Sequence, residues 1–384
     1  MGLEEPLVER MRGFATTIFA EMSALALTTG SVNLGQGFPD TDGPPEILDA
    51  AAHALRSGAN QYPPGPGIPE LRQAISAHQL RRYGLEYDAN AEVLVTAGAT
   101  EAIAAALLAL TGPGDEVVLF EPYYDSYAAC VALAGATRRT ITIERDGDGW
   151  GFDPALLADA ITPATKAIVL NTPHNPTGTV FGPAELQSIA DVAIEHDLIV
   201  ISDEVYEHLI FDGRTHTPIA TLPGMRERTI TISSAGKTFS VTGWKIGWVC
   251  APPALVAAVR AVKQFLTFVN GAPLQPAVAQ VLPIAEKLAP TAALQAQRDL
   301  LCNGLADLGY YVVCPQATYF ATVDVGANAV DFCRELPQRA GVVAIPSSVF
   351  YDSSAGDRYV RFAFCKRPEV LTEALDRLAR ADKT

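Results

Sequence analysis

The chain has 384 residues, of which 49% are hydrophobic and 18% charged, and its formal net charge at pH 7 is −15. This length allows two domains with large apolar cores, and the composition excludes disordered and fibrous classes of protein. The acidic balance argues against nucleic acid or an anionic membrane surface as a partner. The six cysteines form no C-x-x-C pair, so we expect reduced thiols in a cytoplasmic protein. We expect neither a signal peptide nor a membrane span.

Two helices and two loop motifs are predicted before the first strand of the main sheet. Apolar periodicity predicts an arm helix over residues 14–28, and residues 44–58 predict a second helix with proline near its start. Between them, residues 34–40 read LGQGFPD, which indicates close backbone approach to another group or an ordinary crossing loop. The string NQY follows at residues 60–62. The GPG of residues 65–67 lacks the third glycine of a dinucleotide fingerprint, so it does not predict a dinucleotide-binding site.

Six short apolar runs then alternate with helical patterns. Continuous runs of this length are typical of strands buried on both faces, and the alternation predicts a mainly parallel sheet. Ligands of such sheets lie at the carboxyl ends of the strands, where polar side chains stand here. The strands are predicted over residues 93–96, 116–120, 167–170, 198–202, 229–233 and 246–250.

The polar groups after the first strands suit a phosphorylated ring. Gly98, Ala99 and Thr100 precede a helix whose free N–H groups can bind phosphate, although Thr100 can also be a simple N-cap. Tyr124 in EPYYDSY can stack on a ring or belong to the core. A buried carboxylate such as Asp203 is costly unless it is paired, either with a ring nitrogen or with a helix start.

The stretch SSAGKTFSVTGWKIGW, residues 233–248, presents two lysines after a strand. The amine of Lys237 can form a Schiff base with an aldehyde cofactor, while Ser234 and Lys245 can hold its phosphate. A nucleotide-binding P-loop is excluded because Thr231 stands where that motif needs glycine. A solvated surface lysine is the plainer alternative for Lys237.

The pattern after residue 289 predicts a smaller α+β domain. Arg361 lies inside an apolar strand, where its guanidinium needs a carboxylate, either from the protein or from a ligand. Arg358 precedes the strand and is expected in solvent. We divide the chain into an N-terminal arm with part of the small domain (1–44), a large domain (45–288) and a small C-terminal domain (289–384).

The motifs LGQGFPD, NQY, EPYYD, NPTG, DEVY and S-x-x-K with GWKIGW occur in one order from about residue 14 to residue 368. In this order they resemble class I aminotransferases that depend on pyridoxal phosphate (PLP), especially the kynurenine/glutamine and N-succinyldiaminopimelate group. The resemblance implies an α/β PLP-transferase of fold type I, with a mainly parallel seven-stranded sheet between helices and a smaller α+β domain. It also implies pyridoxal 5′-phosphate as cofactor, a homodimer with shared active sites, and no metal.

The resemblance assigns roles residue by residue. The catalytic residues would be Lys237, which holds PLP and acts as base, Asp203 at the ring nitrogen, and Tyr206 at the ring oxygen. Tyr124 would stack on the ring and Asn175 of the NPTG loop would contact its hydroxyl. The phosphate would be held by Gly98, Ala99, Thr100, Ser234, Lys245 and, across the dimer, Tyr62. Substrate would be bound by Gly37, Asn175 and Arg361, the arginine taking the α-carboxylate.

The expected reaction moves an amino group between an L-amino acid and a 2-oxo acid, specifically N-succinyl-LL-diaminopimelate and 2-oxoglutarate. The alternatives are a kynurenine-, glutamine- or methionine-type aminotransferase and a cysteine-S-conjugate β-lyase on the same scaffold. A ligand sensor fused to a DNA-binding module is a further alternative that the acidic charge disfavours. Arg12 and Lys263 are candidates for a cationic contact to the distal acids of the succinylated substrate.

Overall fold

The computed structural model describes residues 7–14, 18–147 and 149–381. Its α-helices are α1 (Ile18–Thr29), α2 (Pro45–Arg56), α3 (Pro69–Tyr83), α4 (Gly98–Leu110), α5 (Asp125–Ala134), α6 (Pro154–Ala160), α7 (Pro183–Glu195), α8 (Ala235–Thr238), α9 (Pro253–Leu266), α10 (Leu274–Val281), α11 (Ala285–Leu288), α12 (Thr291–Asp307), α13 (Ala329–Ala340) and α14 (Pro368–Ala381). Its strands are β1 (Val32–Asn33), β2 (Val93–Ala97), β3 (Glu116–Glu121), β4 (Thr137–Thr142), β5 (Glu144–Asp146), β6 (Gly149–Gly151), β7 (Thr165–Asn171), β8 (Ile199–Asp203), β9 (Thr229–Ser234), β10 (Ile246–Cys250), β11 (Tyr311–Val313), β12 (Phe320–Asp324), β13 (Val342–Val343), β14 (Ile345–Pro346) and β15 (Tyr359–Ala363).

The central sheet has seven strands in the order β2-β10-β9-β8-β7-β3-β4. Strand β10 runs antiparallel to both its neighbours, and the other neighbouring pairs are parallel. The register places Ile246 beside Ala97 and Gly247 beside Ser234. The carboxyl ends of six strands and the amino end of β10 therefore share one edge of the sheet. The expected mainly parallel, seven-stranded α/β sheet is confirmed.

Helices cover both faces of this sheet, which explains the continuous apolar runs. Along β3, Val117 and Leu119 pack with residues of α4 and α5 on one face. Val118 and Phe120 pack with residues of α7 on the other face. A strand that is buried on both sides has no polar positions to alternate with apolar ones.

A second, antiparallel sheet of four strands has the order β11-β12-β15-β14. Met22 and Leu34, from the N-terminal region, belong to the same apolar cluster as Leu301 of α12 and Leu371 of α14. The short strand β1 also pairs with β13. This packing joins the two ends of the chain around one core, while the division at 1–44, 45–288 and 289–384 stays a prediction.

Several local predictions were wrong in their limits. The edge strand β4 was not located, because Ile141 is its only buried residue and two arginines interrupt the pattern. Helix α4 begins at Gly98 after the N-cap Ala97, so Thr100 is a first-turn residue and not an N-cap. Phe14 ends a 3-10 helix, α1 begins at Ile18, and the intervening part of the predicted arm helix lies outside the described residues.

Candidate active site

A cavity of about 280 Å³ lies at the edge of the sheet that the parallel carboxyl ends share. It also receives side chains from β12 and β15 of the second sheet. Every predicted site residue except Tyr62 lines it, namely Gly37, Gly98, Ala99, Thr100, Tyr124, Asn175, Asp203, Tyr206, Ser234, Lys237, Lys245 and Arg361. Tyr62 lies outside the cavity and is 82% exposed. Its ring packs edge-on against that of Phe268, with 5.4 Å between the ring centres. The roles given to these residues stay predictions.

Lys237 stands in the single turn of α8, directly after β9. Its Nζ donates a hydrogen bond to the hydroxyl of Tyr319 at 2.7 Å. Burial lowers the pKa of Lys237 to about 8, while nearby Cys365 and Asp203 act in the opposite direction. The amine therefore exists in both protonation states near neutral pH, which a residue that moves protons requires.

Asp203 ends β8 and is buried. Its Oδ2 accepts a hydrogen bond from the hydroxyl of Tyr127 at 2.7 Å, and its Oδ1 accepts one from the backbone N–H of Val205 at 3.3 Å. Burial raises the pKa of Asp203 to about 6, and these two donors oppose that shift. A cation or a protonated ring nitrogen in the cavity would hold the carboxyl ionised.

The loop after β7 is held in place by its first asparagine. The side-chain amide of Asn171 donates to the carbonyl of Asp203 at 2.8 Å, and its Oδ1 accepts from the backbone N–H of Asn175 at 2.8 Å. Strand β7 thereby fixes Asn175, whose Oδ1 accepts from Nη1 of Arg361 at 3.2 Å.

Arg361 on β15 is buried, and of its two expected partners, a protein carboxylate and a ligand carboxylate, the first is absent among the described residues. Its Nη2 donates to the carbonyl of Gly35 at 3.3 Å, and no carboxylate pairs with it within the described ranges. Its Nε has no partner among the described residues. The guanidinium carbon lies 4.0 Å from the ring centre of Phe320 and 4.8 Å from that of Phe350. Burial lowers the pKa of Arg361 to about 10, so it remains a cation with unused donor capacity at neutral pH.

The opposite end of the cavity suits a phosphate. Helix α4 begins there at Gly98, and Nζ of Lys245 donates to the hydroxyl of Thr100 at 3.1 Å. A Cβ added to Gly247 would lie 2.5 Å from the carbonyl carbon of Gly98 and 2.8 Å from the backbone nitrogen of Ala99. Glycine at 247 therefore lets β10 pass directly beside the helix start. The free amides of that start and the lysine cation together attract an anion.

Residues 29–378 match the family model of class I and II aminotransferases. The chain belongs to this family. It is an aminotransferase of fold type I, and it moves an amino group between an amino acid and a 2-oxo acid. Among the residues that the structure describes, no helix combines the length and apolarity that crossing a membrane requires.

The aminotransferase is similar to named relatives over almost its whole length. It is 52% identical to the probable N-succinyldiaminopimelate aminotransferase DapC of Mycobacterium tuberculosis H37Rv, over 97% of this chain and 98% of that one. The solved structure of the M. tuberculosis enzyme superposes with a TM-score of 0.95, covering 98% of this chain and 100% of the other. The methionine aminotransferase of Escherichia coli K12 is 40% identical, over 97% and 98% of the two chains. Human kynurenine–oxoglutarate transaminase 3 is 37% identical, over 97% and 90%.

The aminotransferase also places residues in its cavity that sequence reasoning missed. Tyr127 lies in the first turn of α5, three residues after the N-cap Tyr124, a spacing that could have indicated it. Phe19 and Phe320 line the cavity beside Arg361. Tyr319 is far from Lys237 in the chain, and nothing local in the sequence marks it.

The two candidate cations for a distal substrate acid do not line this cavity. Lys263 is buried, and its Nζ donates to the carbonyls of Phe268 at 2.6 Å and Gly65 at 3.3 Å. Arg12 lies on the 3-10 helix Glu9–Phe14 and is not among the lining residues. Contact between Lys263 and the substrate is therefore not supported, because its ammonium is already bound to backbone oxygens.

Proposed function

We propose that this aminotransferase binds pyridoxal 5′-phosphate at Lys237 and transfers the amino group of N-succinyl-LL-diaminopimelate to 2-oxoglutarate. The cofactor, which the family implies, is supported by one observation. A single cavity combines the amine of Lys237, the buried carboxylate of Asp203, and the start of α4 with the Lys245 ammonium beside it. The choice of substrate is supported by the 52% identity with the M. tuberculosis enzyme of that name.

The donors in the cavity fit the groups of the cofactor. When bound, pyridoxal phosphate supplies an aldehyde carbon that links to amines and a ring that withdraws electrons from that carbon. Asp203 would pair with the ring nitrogen, Tyr206 and Asn175 with the ring oxygen, and Tyr124 with the ring face. The phosphate would be held by Ser234, Lys245 and the first-turn amides of Gly98, Ala99 and Thr100.

Arg361 would bind the α-carboxylate of the substrate. Its unused Nε and its forked geometry suit a carboxylate, and the phenylalanine rings around it exclude water and so strengthen the pair. Asn175 already contacts the guanidinium and would complete the subsite. A Cβ added to Gly37 would lie 2.4 Å from Cζ of Phe320, so the glycine is what allows the Phe320 ring to pack against this segment in the cavity wall.

Lys237 would move the proton. With a pKa of about 8, a useful fraction of the amine is neutral near neutral pH and can accept the proton from the substrate α-carbon. The resulting ammonium remains close to the Asp203 carboxylate, which stabilises it electrostatically. The same nitrogen can then return the proton, since neither protonation state is strongly favoured.

Borohydride reduction tests the cofactor assignment. The purified enzyme is loaded with pyridoxal phosphate and reduced. The cofactor, now covalently fixed as the label, should be found on the peptide that contains Lys237. The Lys237→Ala variant should bind the cofactor without fixable attachment and should lose turnover. A label on another lysine, or near-normal transamination by the variant, would disprove the assignment.

A half-reaction screen tests the substrate. Each amino acid is added without an oxo acid, and loss of the cofactor absorbance band gives its kcat/KM. N-succinyl-LL-diaminopimelate should exceed methionine and kynurenine. The opposite order would favour a methionine- or kynurenine-type enzyme, the second candidate, which the 40% and 37% identical relatives support. Ammonia and pyruvate formed from cysteine conjugates would indicate β-lyase activity.

We further propose a homodimer with shared sites. Tyr62 packs on Phe268, and the same segment contains Asn270, whose side-chain amide donates to the carbonyl of Lys245 at 3.0 Å. The exposed phenol of Tyr62 therefore lies on the surface near the end of the cavity that would hold the phosphate, where a second subunit could contact it. The cytoplasmic location also stays a prediction.

A further inference from the structure

The hydroxyl of Tyr319 lies between Lys237 and the backbone of the LGQGFPD segment. It receives a hydrogen bond from Nζ of Lys237 at 2.7 Å and makes a second one, also 2.7 Å, with the carbonyl of Gly37. The Tyr319 side chain is fully buried, with 1% of its surface exposed. Neither the family match nor the roles proposed above give this hydroxyl a function.

The directions of these two hydrogen bonds follow from the groups involved. A backbone carbonyl only accepts, so the single proton of the phenol must point at Gly37. The contact with Lys237 must therefore be an N–H of the lysine that points at the phenol oxygen. Burial holds the pKa of Tyr319 well above its ordinary value, so the phenol keeps its proton throughout the working pH range.

We propose that Tyr319 is a positioning residue that holds the free amine of Lys237 by accepting one N–H, which leaves the nitrogen lone pair directed into the cavity. The proposal rests on the proposed role of Lys237 as the base. A phenol with a free proton would instead donate to the neutral amine and occupy that lone pair. The Gly37 carbonyl prevents this by keeping the proton.

The same segment also contacts the substrate end of the cavity. The carbonyl of Gly35 accepts from Arg361, and the carbonyl of Gly37, two residues later, accepts from Tyr319. One short loop after β1 thereby relates the position of the Lys237 amine to that of the guanidinium. The amine is held relative to the subsite that would take the α-carboxylate.

The effect of Tyr319 on the pKa of Lys237 has a definite sign. Other groups around this amine are the carboxylate of Asp203, the thiol of Cys365, the cations Lys245 and Arg361, and the ring of Tyr206. An acceptor that faces an N–H favours the ammonium over the neutral amine. Removing the phenol oxygen should therefore lower the pKa of Lys237 below about 8.

The test is Tyr319→Phe, with Tyr87→Phe as the matched control. Tyr87 is another buried tyrosine, packed in a different apolar cluster, and its hydroxyl has no partner among the described residues. The full-length chain, freed of cofactor, is labelled with acetic anhydride across pH 6–10, and the Lys237 peptide is quantified by mass spectrometry. Tyr319→Phe should move the labelling midpoint down by about one pH unit, and Tyr87→Phe should not move it.

The cofactor-loaded enzyme gives a second measurement. The pH dependence of kcat/KM should change with Tyr319→Phe. The value of kcat should fall about tenfold or more, because the lone pair of the Lys237 amine is no longer held in one direction. An unchanged midpoint together with an unchanged kcat would overturn the proposal and leave Tyr319 as a core residue only. If the variant does not fold, 4-fluorophenylalanine at position 319 keeps the size and replaces the hydroxyl with a very weak acceptor that cannot ionise. It should give a shift in the same direction, and no shift would also overturn the proposal.

Failure of this proposal differs from failure of the proposed function. The labelling midpoint is measured without cofactor, so it reports the Tyr319 contact even if the cofactor assignment is wrong. Borohydride fixation on wild-type Lys237 tests the cofactor assignment alone.

Discussion

The hydroxyl of Tyr127, on α5, donates a hydrogen bond to Oδ2 of Asp203, at the end of β8, at 2.7 Å. Both side chains are buried, and the phenol is the closest donor to a carboxyl whose pKa burial raises to about 6. A donor to the charged form keeps a buried carboxylate ionised. The helix that follows Tyr124 thus maintains the negative charge that the proposed ring nitrogen requires.

Tyr127→Phe should raise the pKa of Asp203 above about 6. A hydrogen bond to a charged group contributes about 1.5–3 kcal/mol, which corresponds to roughly one to two pH units. The acid limb of the pH dependence of cofactor affinity should move upward by that amount, so binding should weaken most near pH 6. Cofactor titrations between pH 5 and 9 measure this, with Tyr87→Phe as control. An unchanged acid limb would contradict the role of Tyr127.

Asp203→Asn should stabilise the cofactor-free protein while it abolishes activity. The pKa of Asp203 is raised on folding, so its contribution is fully favourable only below the ordinary value of 3.8 and is lost as the pH rises through about 6. Above pH 7 the variant should gain about 3 kcal/mol in the free energy of unfolding, and the gain should shrink to about 0.5 kcal/mol at pH 4. Urea unfolding at pH 4 and pH 8 compares the two. A variant less stable than wild type at pH 8 would show that burial does not oppose this charge.

Gly247→Ala and Gly243→Ala form a matched pair within one motif. A Cβ at position 247 would meet backbone atoms of Gly98 and Ala99, whereas a Cβ at position 243 has nothing within 4 Å. Backbone cannot rotate away as a side chain can, so Gly247→Ala should cost about 1–3 kcal/mol of stability. It should also weaken cofactor binding by pushing the helix start aside. Gly243→Ala should leave both within about 0.5 kcal/mol of wild type. Equal effects of the two variants would contradict this account of the phosphate end.

Arg361→Ala should lower kcat/KM for amino acids severely. Losing one partner of a buried charge pair costs about 2–4 kcal/mol, or roughly 30- to 1,000-fold. Decarboxylated amines should lose far less, because they lack the group that Arg361 would bind. Arg358→Ala is the control, since Arg358 lies just before the same strand, is exposed and pairs with Asp324 at 3.0 Å. Equal losses for amino acids and amines would remove the carboxylate role from Arg361.

Tyr62 tests whether the active sites are shared. A phenol bonded to a phosphate contributes about 1.5–3 kcal/mol, so Tyr62→Phe should weaken cofactor binding roughly ten- to a hundredfold. Tyr62→Ala and Lys237→Ala are then refolded together and assayed at a cofactor concentration too low to load the Tyr62→Ala dimer. If sites are shared, mixed dimers hold one intact site, and about a quarter of all sites should be active with random pairing. No recovery, or a fully active monomer, would refute sharing.

The sequence predicted six of the seven strands of the central sheet, and with them the polar side chains at the strand ends. That part succeeded because burial on both faces leaves a local signal in the chain. Strand β4 escaped because an edge strand with one buried residue, Ile141, has almost no such signal.

Contacts between distant segments could not be predicted in the same way. Tyr319 precedes β12 of the second sheet and Lys237 follows β9 of the first, so only the packing of the two sheets brings them together. For Arg361, general chemistry predicted a carboxylate from the protein or from a ligand, and among the described residues the protein supplies only the oxygens of Asn175 and Gly35. A single sequence can show that a buried charge needs oxygen atoms, but not which backbone will bring them.

The reversed direction of β10 restricts how this chain can vary in length. Lys237 follows β9 and Lys245 precedes β10, so both reach one edge through the short link between two antiparallel strands. One inserted residue lengthens an extended chain by roughly 3.3–3.6 Å, more than a hydrogen-bond length. An insertion in the link would therefore misplace Lys245 against Thr100, or shift Gly247 from its passage beside Gly98. The three residues of β5 are all exposed, and none of them lines the cavity, so this part of the chain has no such obligation. Insertions and deletions should accumulate beside β5 and be absent from residues 238–246.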